Sequence, residues 1–490
     1  MLASRHLAFD LGAESGRALL GSLDDGRLAV REIHRFPNGM LRLRGHCHWN
    51  LYRLFEQVKE GLRLAARAGD APQSIVVDTW GVDFGLFDRD GDLLGLPYAY
   101  RDSRTAGAMD SFFRKVPREC VYELTGVQFL PFNSLFQLES MVRDRSPLIE
   151  AAADLLFMPD LFHYLLAGAK ATEFTFATTS QLFNPRTGGW DDELLAALGL
   201  PRRWLQPLVA PGTPLGPLGA EIAAETGLAP IPLIAVATHD TASAVAAAPG
   251  EGDDWAYLSS GTWSLLGVES PAPLIGDETR RANFTNEGGV GGSFRVLKNV
   301  MGLWLVQECR RAWSRDAEID YDELTAAAAA APPWRALVDP DNASFLNPPD
   351  MPAAIRDFCR RTDQPVPETP GAVVRCALES LALKYRCVLE ELGRIYPRPI
   401  RRLHAIGGGA RNRLLNQWTA DATGLPVLAG PTEATAIGNL LVQAMALGRV
   451  GSLAELRDIV RRSFPLETYT PRPTPAWEAA WRRFQQFRLV

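Results

Sequence analysis

Thr238-His239-Asp240-Thr241-Ala242-Ser243-Ala244 is the stretch on which the reading of this chain turns. It follows an apolar run over residues 231–237 that reads as a buried strand. It leads into an alanine-rich run suited to start a helix. A carboxylate at the end of a strand, beside a cleft, is well placed to take a proton from a hydroxyl group. Asp240 or Thr241 also has the chemistry of a helix cap. The stretch by itself leaves both readings open.

Working outward, the pattern of strand, polar loop and strand occurs twice. Residues 6–10 end in Asp10-Leu11-Gly12-Ala13-Glu14-Ser15-Gly16-Arg17, and apolar residues resume at Ala18-Leu19-Leu20. Residues 256–258 lead into Ser259-Ser260-Gly261-Thr262-Trp263-Ser264, followed by Leu265 and Leu266. The likeness lies in pattern and not in letters, and it suggests an ancient duplication. In the first half, Leu51, Leu54, Phe55, Val58, Leu62 and Ala65 recur at helical spacing. A strand at 74–77 then enters Asp78-Thr79-Trp80-Gly81-Val82-Asp83-Phe84. In the second half, a strand is expected at 294–297 and helices at 299–313, 372–395, 432–446 and 475–487. A strand at 403–406 runs into Gly407-Gly408-Gly409. Pro249-Gly250-Glu251-Gly252-Asp253-Asp254 is a loop signal between the halves, so the expected domains are 1–245 and 246–490. Strands mixed with helices point to an α/β fold.

The 490 residues are too many for one ordinary core. A hydrophobic content of 47% with 22% charged residues describes a soluble globular chain. A net charge of -6 gives no reason to expect nucleic acid. Only Lys59, Lys115, Lys170, Lys298 and Lys384 are lysines, so cationic phosphate contacts fall to arginine. Six scattered cysteines form no C-x-x-C pair and suit a reducing cytoplasm. The start of the chain lacks a signal-peptide pattern, and no run is long and apolar enough to suggest a membrane span.

The chain carries no P-loop, no dinucleotide fingerprint, no nucleophile elbow and no H-E-x-x-H motif. It does carry the two polar, Gly-bearing loops. Facing one another, they would offer backbone N–H groups and hydroxyls to a polyphosphate. Asp10 is then suited to a hydrated magnesium ion and Arg17 to supplying charge. Each loop taken alone reads better as an ordinary hairpin turn. Gly407-Gly408-Gly409 admits close approach of a ligand such as an adenine ring, or is a plain strand-to-helix turn. His46-Cys47-His48 has metal-ligand residue types but no further ligands nearby.

Taken together, these runs resemble the FGGY family of carbohydrate kinases. With them go Tyr100-Arg101-Asp102-Ser103-Arg104, Gln128-Phe129-Leu130-Pro131-Phe132-Asn133 and Lys298-Asn299-Val300-Met301-Gly302-Leu303-Trp304. The likeness covers nearly the whole chain, and its order and spacing make it specific. It implies an actin-like ATPase fold, ribonuclease H-like, with two mixed-sheet domains flanking a central cleft. It implies transfer of the γ-phosphoryl group of ATP to O1 of L-rhamnulose in L-rhamnose catabolism. Asp240 would be the base, with the sugar against Gly81, His239, Thr241 and Asn299. Ala13, Glu14, Ser15, Gly16, Arg17, Thr262, Gln307 and Gly408 would hold ATP, with Asp10 beside Mg2+. Val82 and Phe84 are expected to face the methyl group of a 6-deoxy sugar, with Asp83 accepting from its hydroxyls. Glu14 departs from the small residue expected in a phosphate loop, and a carboxylate there repels ATP unless it turns away. The partners expected are a small ketose, no nucleic acid and no membrane, in a cytoplasmic monomer or small homo-oligomer. The rival readings are a kinase for L-fuculose or L-xylulose and a non-catalytic ATP-binding member of the fold.

Overall fold

The apolar alternation at the start of the chain becomes three antiparallel strands, Ser4–Leu11, Ser15–Asp24 and Arg27–Pro37. The computed structural model describes residues 4–69, 71–314, 319–472 and 474–487. The strands open a six-stranded mixed sheet. From one edge its order is Arg27–Pro37, Ser15–Asp24, Ser4–Leu11, Ile75–Thr79, Pro232–Ala235 and Thr213–Pro217. Ile75–Thr79 lies parallel to both Ser4–Leu11 and Pro232–Ala235. The expected helix is Leu51–Arg67, capped by Asn50, whose side chain accepts from the Arg53 amide. Its buried face of Leu51, Leu54, Val58, Leu62 and Ala65 follows the 3.6-residue period. Phe55, expected on that face, is only half-buried because it lies at the stripe's margin.

The chain divides into two units. The first is Met1–Pro249 with Glu269–Val296 and Ala434–Phe464. The late helix Ala434–Ala446 joins it by packing on Ser4–Leu11 and on the helix Asp240–Ala246. The second unit is Gly250–Val268, Leu297–Glu433 and Pro465–Val490. Its strands run in the order Phe294–Met301, Trp263–Ser270, Trp255–Ser260, Arg402–Ile406, Val427–Ala429 and Glu467–Tyr469. The Trp255–Ser260 and Trp263–Ser270 pair is antiparallel, and Arg402–Ile406 lies parallel to Trp255–Ser260. In both sheets an antiparallel hairpin lies beside a parallel strand, Ile75–Thr79 in the first and Arg402–Ile406 in the second, but the strands beyond follow in a different chain order and Thr285–Gly288 adds an edge strand to the second sheet.

The helix expected at 299–313 begins later. Phe294–Met301 is one continuous strand, and the helix is Trp304–Trp313. Val300 and Met301 are buried and extend the sheet, and the chain turns only at Gly302. The long helix is Pro370–Ile395, capped by Thr369. His46 and His48 sit in the strand His46–Trp49. There His46 Nδ1 lies 3.1 Å from Asp102 Oδ1, and His48 Nδ1 lies 3.2 Å from the Leu96 carbonyl oxygen. Among the described residues no helix is long and apolar enough to cross a membrane. The Cys359 and Cys376 thiols touch one another without a bond between them.

Candidate active site

In the first unit, neighbouring parallel strands bring carboxylates to their C-terminal ends. Asp10 and Asp78 are register partners on Ser4–Leu11 and Ile75–Thr79. Thr79 in turn bridges His239, and its amide donates to the Thr238 carbonyl at 3.0 Å. Arg17 Nη2 donates to Asp10 Oδ2 at 2.5 Å, so the carboxylate expected beside magnesium and the arginine expected to supply charge form an ion pair. Asp78 is fully buried. Its Oδ2 accepts from Asn439 Nδ2 at 2.5 Å, and its Oδ1 has no partner among the described residues. Burial drives the Asp78 carboxyl well above the carboxylate range. Asp10 and Asp240 push the same way, against the Asn439 hydrogen bond and Arg17.

Asp240 is the first residue of the helix Asp240–Ala246, and His239 occupies the cap position without a capping side chain. Neither Asp240 nor Thr241 is therefore the cap residue. Asp240 Oδ1 accepts from the Thr241 amide at 2.5 Å and from Thr241 Oγ1 at 3.1 Å. Its Oδ2 takes no hydrogen bond among the described residues, and 28% of the side chain is exposed. Beneath this turn the buried Glu173 accepts from the Thr238 amide at 2.9 Å and from Thr238 Oγ1 at 3.0 Å. The peptide that presents His239 and Asp240 is thus anchored by a carboxylate 65 residues earlier.

Gly81, Val82 and Asp83 form the turn beside His239. Val82 has φ of 66°, a left-handed conformation costly for a β-branched side chain. Strain of this kind is of order 1–3 kcal/mol and persists only where the surroundings enforce it. Here the Val82 amide donates to Thr179 Oγ1 at 3.3 Å, and its carbonyl accepts from Ser134 Oγ at 2.5 Å. Asp83 is fully buried. Its Oδ2 accepts from Trp49 Nε1 at 2.6 Å, Trp80 Nε1 at 3.0 Å and the Tyr100 amide at 3.1 Å. Its Oδ1 accepts from Gln137 Nε2 at 2.8 Å. Burial raises its carboxyl to about 6, with the two indoles, Gln137 and the Tyr100 amide opposing. The carboxylate expected to meet sugar hydroxyls is therefore spent on holding the turn. Phe84 likewise packs in the core with Phe112, Phe136 and Phe157.

The turn at Ala13, Glu14 and Ser15 is half-buried and closed by Gly12 N donating to the Ser15 carbonyl at 2.9 Å. Asn38 clasps it, donating from Nδ2 to the Gly12 carbonyl and from its amide to the Glu14 carbonyl. Gly16 is buried in the strand that follows.

In the second unit, Gly261 and Thr262 make the turn between Trp255–Ser260 and Trp263–Ser270. Amides opening the helix Trp304–Trp313 close onto it. Leu303 N donates to the Gly261 carbonyl at 2.9 Å, and Gly302 N and Trp304 N donate to the Thr262 carbonyl at 3.2 Å. Gly302 permits this approach, since a Cβ there would stand 2.7 Å from Ser264 Oγ and 2.8 Å from the Gly261 carbonyl oxygen. Gln307 lies one turn into that helix, its Oε1 buried with no partner among the described residues. Gly407 and Gly409 lie directly against Ser260, whereas Gly408 is exposed and a Cβ there would meet nothing. The Gly261-Thr262 turn is thus closed by the opening of the helix that carries Gln307, and the neighbouring Ser260 is covered by Gly407 and Gly409, which flank Gly408. Asn299 is half-buried in the strand Phe294–Met301.

Sequence reading missed Asp78, Asn439, Gln137, Glu173, Glu287 and Arg295 as site residues. Asp78 alone carried a signal, since it ends a strand as Asp10 does. The others come from remote segments with no local mark.

The sequence pattern described as FGGY family of carbohydrate kinases, N-terminal domain, matches residues 6–247. The C-terminal domain pattern of that family matches residues 256–447. The chain is 51% identical to the rhamnulokinase of Bacteroides thetaiotaomicron, over 98% of each chain. It is 47% identical to the rhamnulokinase of Pectobacterium carotovorum, over 99% of this chain and 97% of the other. Among solved structures, gluconate kinase from Lactobacillus acidophilus superposes with a TM-score of 0.80 at 16% identity, covering 99% of this chain and 97% of that one. Xylulose kinase from the same organism gives 0.79 at 16% identity with the same coverage.

Proposed function

The chain belongs to the FGGY family of carbohydrate kinases, and from that premise we propose that it transfers the γ-phosphoryl group of ATP to O1 of L-rhamnulose with Asp240 as the base. One observation carries the role of Asp240: it opens a helix at a strand end with one carboxylate oxygen tied down and the other open. A carboxylate held this way accepts a proton without having to rotate into place. Phosphoryl transfer asks little covalent work of the protein. Binding and alignment carry the rest. Gly81, His239, Thr241 and Asn299 are assigned to the sugar, and Asp83 to fixing the turn that bears Gly81. Ala13, Glu14, Ser15, Gly16, Arg17, Thr262, Gln307 and Gly408 are assigned to ATP. Glu14 contributes through its backbone, a role its tie to Asn38 supports.

The first-unit carboxylates fit a magnesium ion held chiefly through water. Asp10 and Asp78 are register partners, and Asp78 Oδ1 is a buried oxygen without a hydrogen-bond partner among the described residues. When bound with ATP, that ion neutralises charge on the phosphate oxygens. Arg17, paired with Asp10, keeps positive charge at the same strand end. A cytoplasmic setting suits a chain whose six cysteines are all unlinked.

A coupled ADP-release assay over a panel of ketoses tests the proposal. ADP release that depends on L-rhamnulose, with a higher kcat/KM than for L-fuculose or L-xylulose, is the expected result. Stronger turnover of another ketose would move the assignment within the family. No sugar-dependent release at all would end the kinase reading.

A further inference from the structure

His239 is held from the side opposite Asp240 by a buried ion pair that the assignments above leave unused. Arg295 is wholly buried in the strand Phe294–Met301, and Glu287 is buried in the strand Thr285–Gly288. Arg295 Nη2 lies 3.1 Å from Glu287 Oε2, and Arg295 Nε donates to the Gly288 carbonyl at 2.8 Å. The same Nη2 lies 3.2 Å from His239 Nδ1. Burial alone would raise the Glu287 carboxyl, but the Arg295 guanidinium beside it brings it below its ordinary value. The pair is therefore a carboxylate facing a guanidinium whose Nη2 also faces the imidazole, while its Nη1 is buried with no hydrogen-bond partner among the described residues.

A guanidinium has only donors and does not give up its proton in a protein. The ring nitrogen facing Arg295 must then present its lone pair. The ring's hydrogen is left on Nε2, which lies 3.4 Å from Asp240 Oδ1. Nε2 also faces Gly81, where a Cβ would stand only 3.3 Å away. The competing arrangement, with a hydrogen on Nδ1 donating to Glu287, spans 3.4 Å and sets an N–H against Arg295. It would also leave two lone pairs facing each other between Nε2 and Asp240. The charged or titratable groups facing the ring are Asp240, Glu287 and Arg295, and its other close ring neighbour is Phe176.

We propose that Arg295, anchored by Glu287, is a positioning residue that fixes His239 in its Nε2–H form, so that the ring donates toward the Asp240 carboxylate and the substrate hydroxyl beside it. The proposal rests on the sugar-kinase reading for its consequence but not for its geometry. The imidazole supplies a directed hydrogen bond that steadies the base, and Arg295 acts through it without touching substrate.

The test is nitrogen NMR on the full chain labelled at its seven histidines, with the His239 ring assigned by loss of its signals in His239→Gln. The wild-type ring is expected to show a protonated Nε2 and a bare Nδ1. Arg295→Met should shift the hydrogen to Nδ1, toward Glu287, and lower kcat about ten-fold or more while leaving KM for ATP unchanged. Arg295→Lys, which keeps a donor, should restore the ring form and part of kcat. A wild-type ring protonated on Nδ1 would overturn the proposal, and that spectrum stands even if Arg295→Met does not fold. So would a folded Arg295→Met protein with parental ring signals and kcat. If wild-type protein releases no ADP with any sugar, the kinase reading fails while the ring spectrum still decides the tautomer.

Discussion

Gly438 is the residue through which a remote helix controls where the base sits. It lies in the helix Ala434–Ala446, against the Ser243 carbonyl, three residues beyond Asp240 in the helix Asp240–Ala246. A methyl group at 438 would stand 1.8 Å from that oxygen and 2.7 Å from its carbon. Ordinary contact begins at 3.4 Å, so Gly438→Ala forces the two helices apart by about 1.6 Å. The atoms met are backbone, and no rotamer change relieves the overlap. Overpacking of this kind costs about 1–3 kcal/mol of stability. Asp240 opens the displaced helix and moves with it, and a misplacement of about 1 Å lowers turnover about 100-fold. The assay is ADP release with L-rhamnulose, run beside thermal unfolding to show that the variant is folded. Gly393, exposed in the helix Pro370–Ile395 where a Cβ meets nothing, is the control. Gly393→Ala should keep full kcat and gain up to about 1 kcal/mol of stability. A folded Gly438→Ala protein with the parental kcat would refute the link from helix packing to base placement.

Other outcomes follow from the same geometry. Asp240→Asn should bind ATP as before, by titration calorimetry, yet lose about 100-fold or more in kcat. Gly302→Ala should push the opening of the helix Trp304–Trp313 off the Gly261-Thr262 turn, raising KM for ATP more than KM for sugar in steady-state kinetics. Asp83 has a folded value near 6 against an ordinary 3.8, so its neutral form is favoured by folding. That contribution is complete below pH 3.8 and is lost as pH rises through 6, amounting to about 3 kcal/mol. The stability of Asp83→Asn relative to the parent should therefore improve by about that amount between pH 3.8 and 7 in denaturant titrations. A difference independent of pH would mean that Asp83 is already charged without penalty.

Local chemistry was enough to read much of this protein from its letters. Apolar periodicity located the helix Leu51–Arg67, and the paired strand-loop-strand runs located both hairpins. The run from Thr238 to Ala244 signalled a strand end followed by a helix, and the ordered set of short motifs pointed to the family. Periodicity misjudged the 299–313 segment, because a strand buried on both faces loses the alternation that marks it. What no local pattern carried is which remote group occupies each oxygen. Asp83 looked available to a ligand until Trp49, Trp80, Tyr100 and Gln137 converged on it. Val82 gave no hint of its left-handed backbone, which Thr179 and Ser134 hold from 97 and 52 residues away. Glu173, Glu287, Arg295 and Asn439 reach the strand ends only because the sheet and the late helix fold back upon them. Sequence spacing determines what a residue does to its own turn of chain. The state of a buried polar group depends instead on the donors and charges that packing brings to it, and those come from anywhere along the chain.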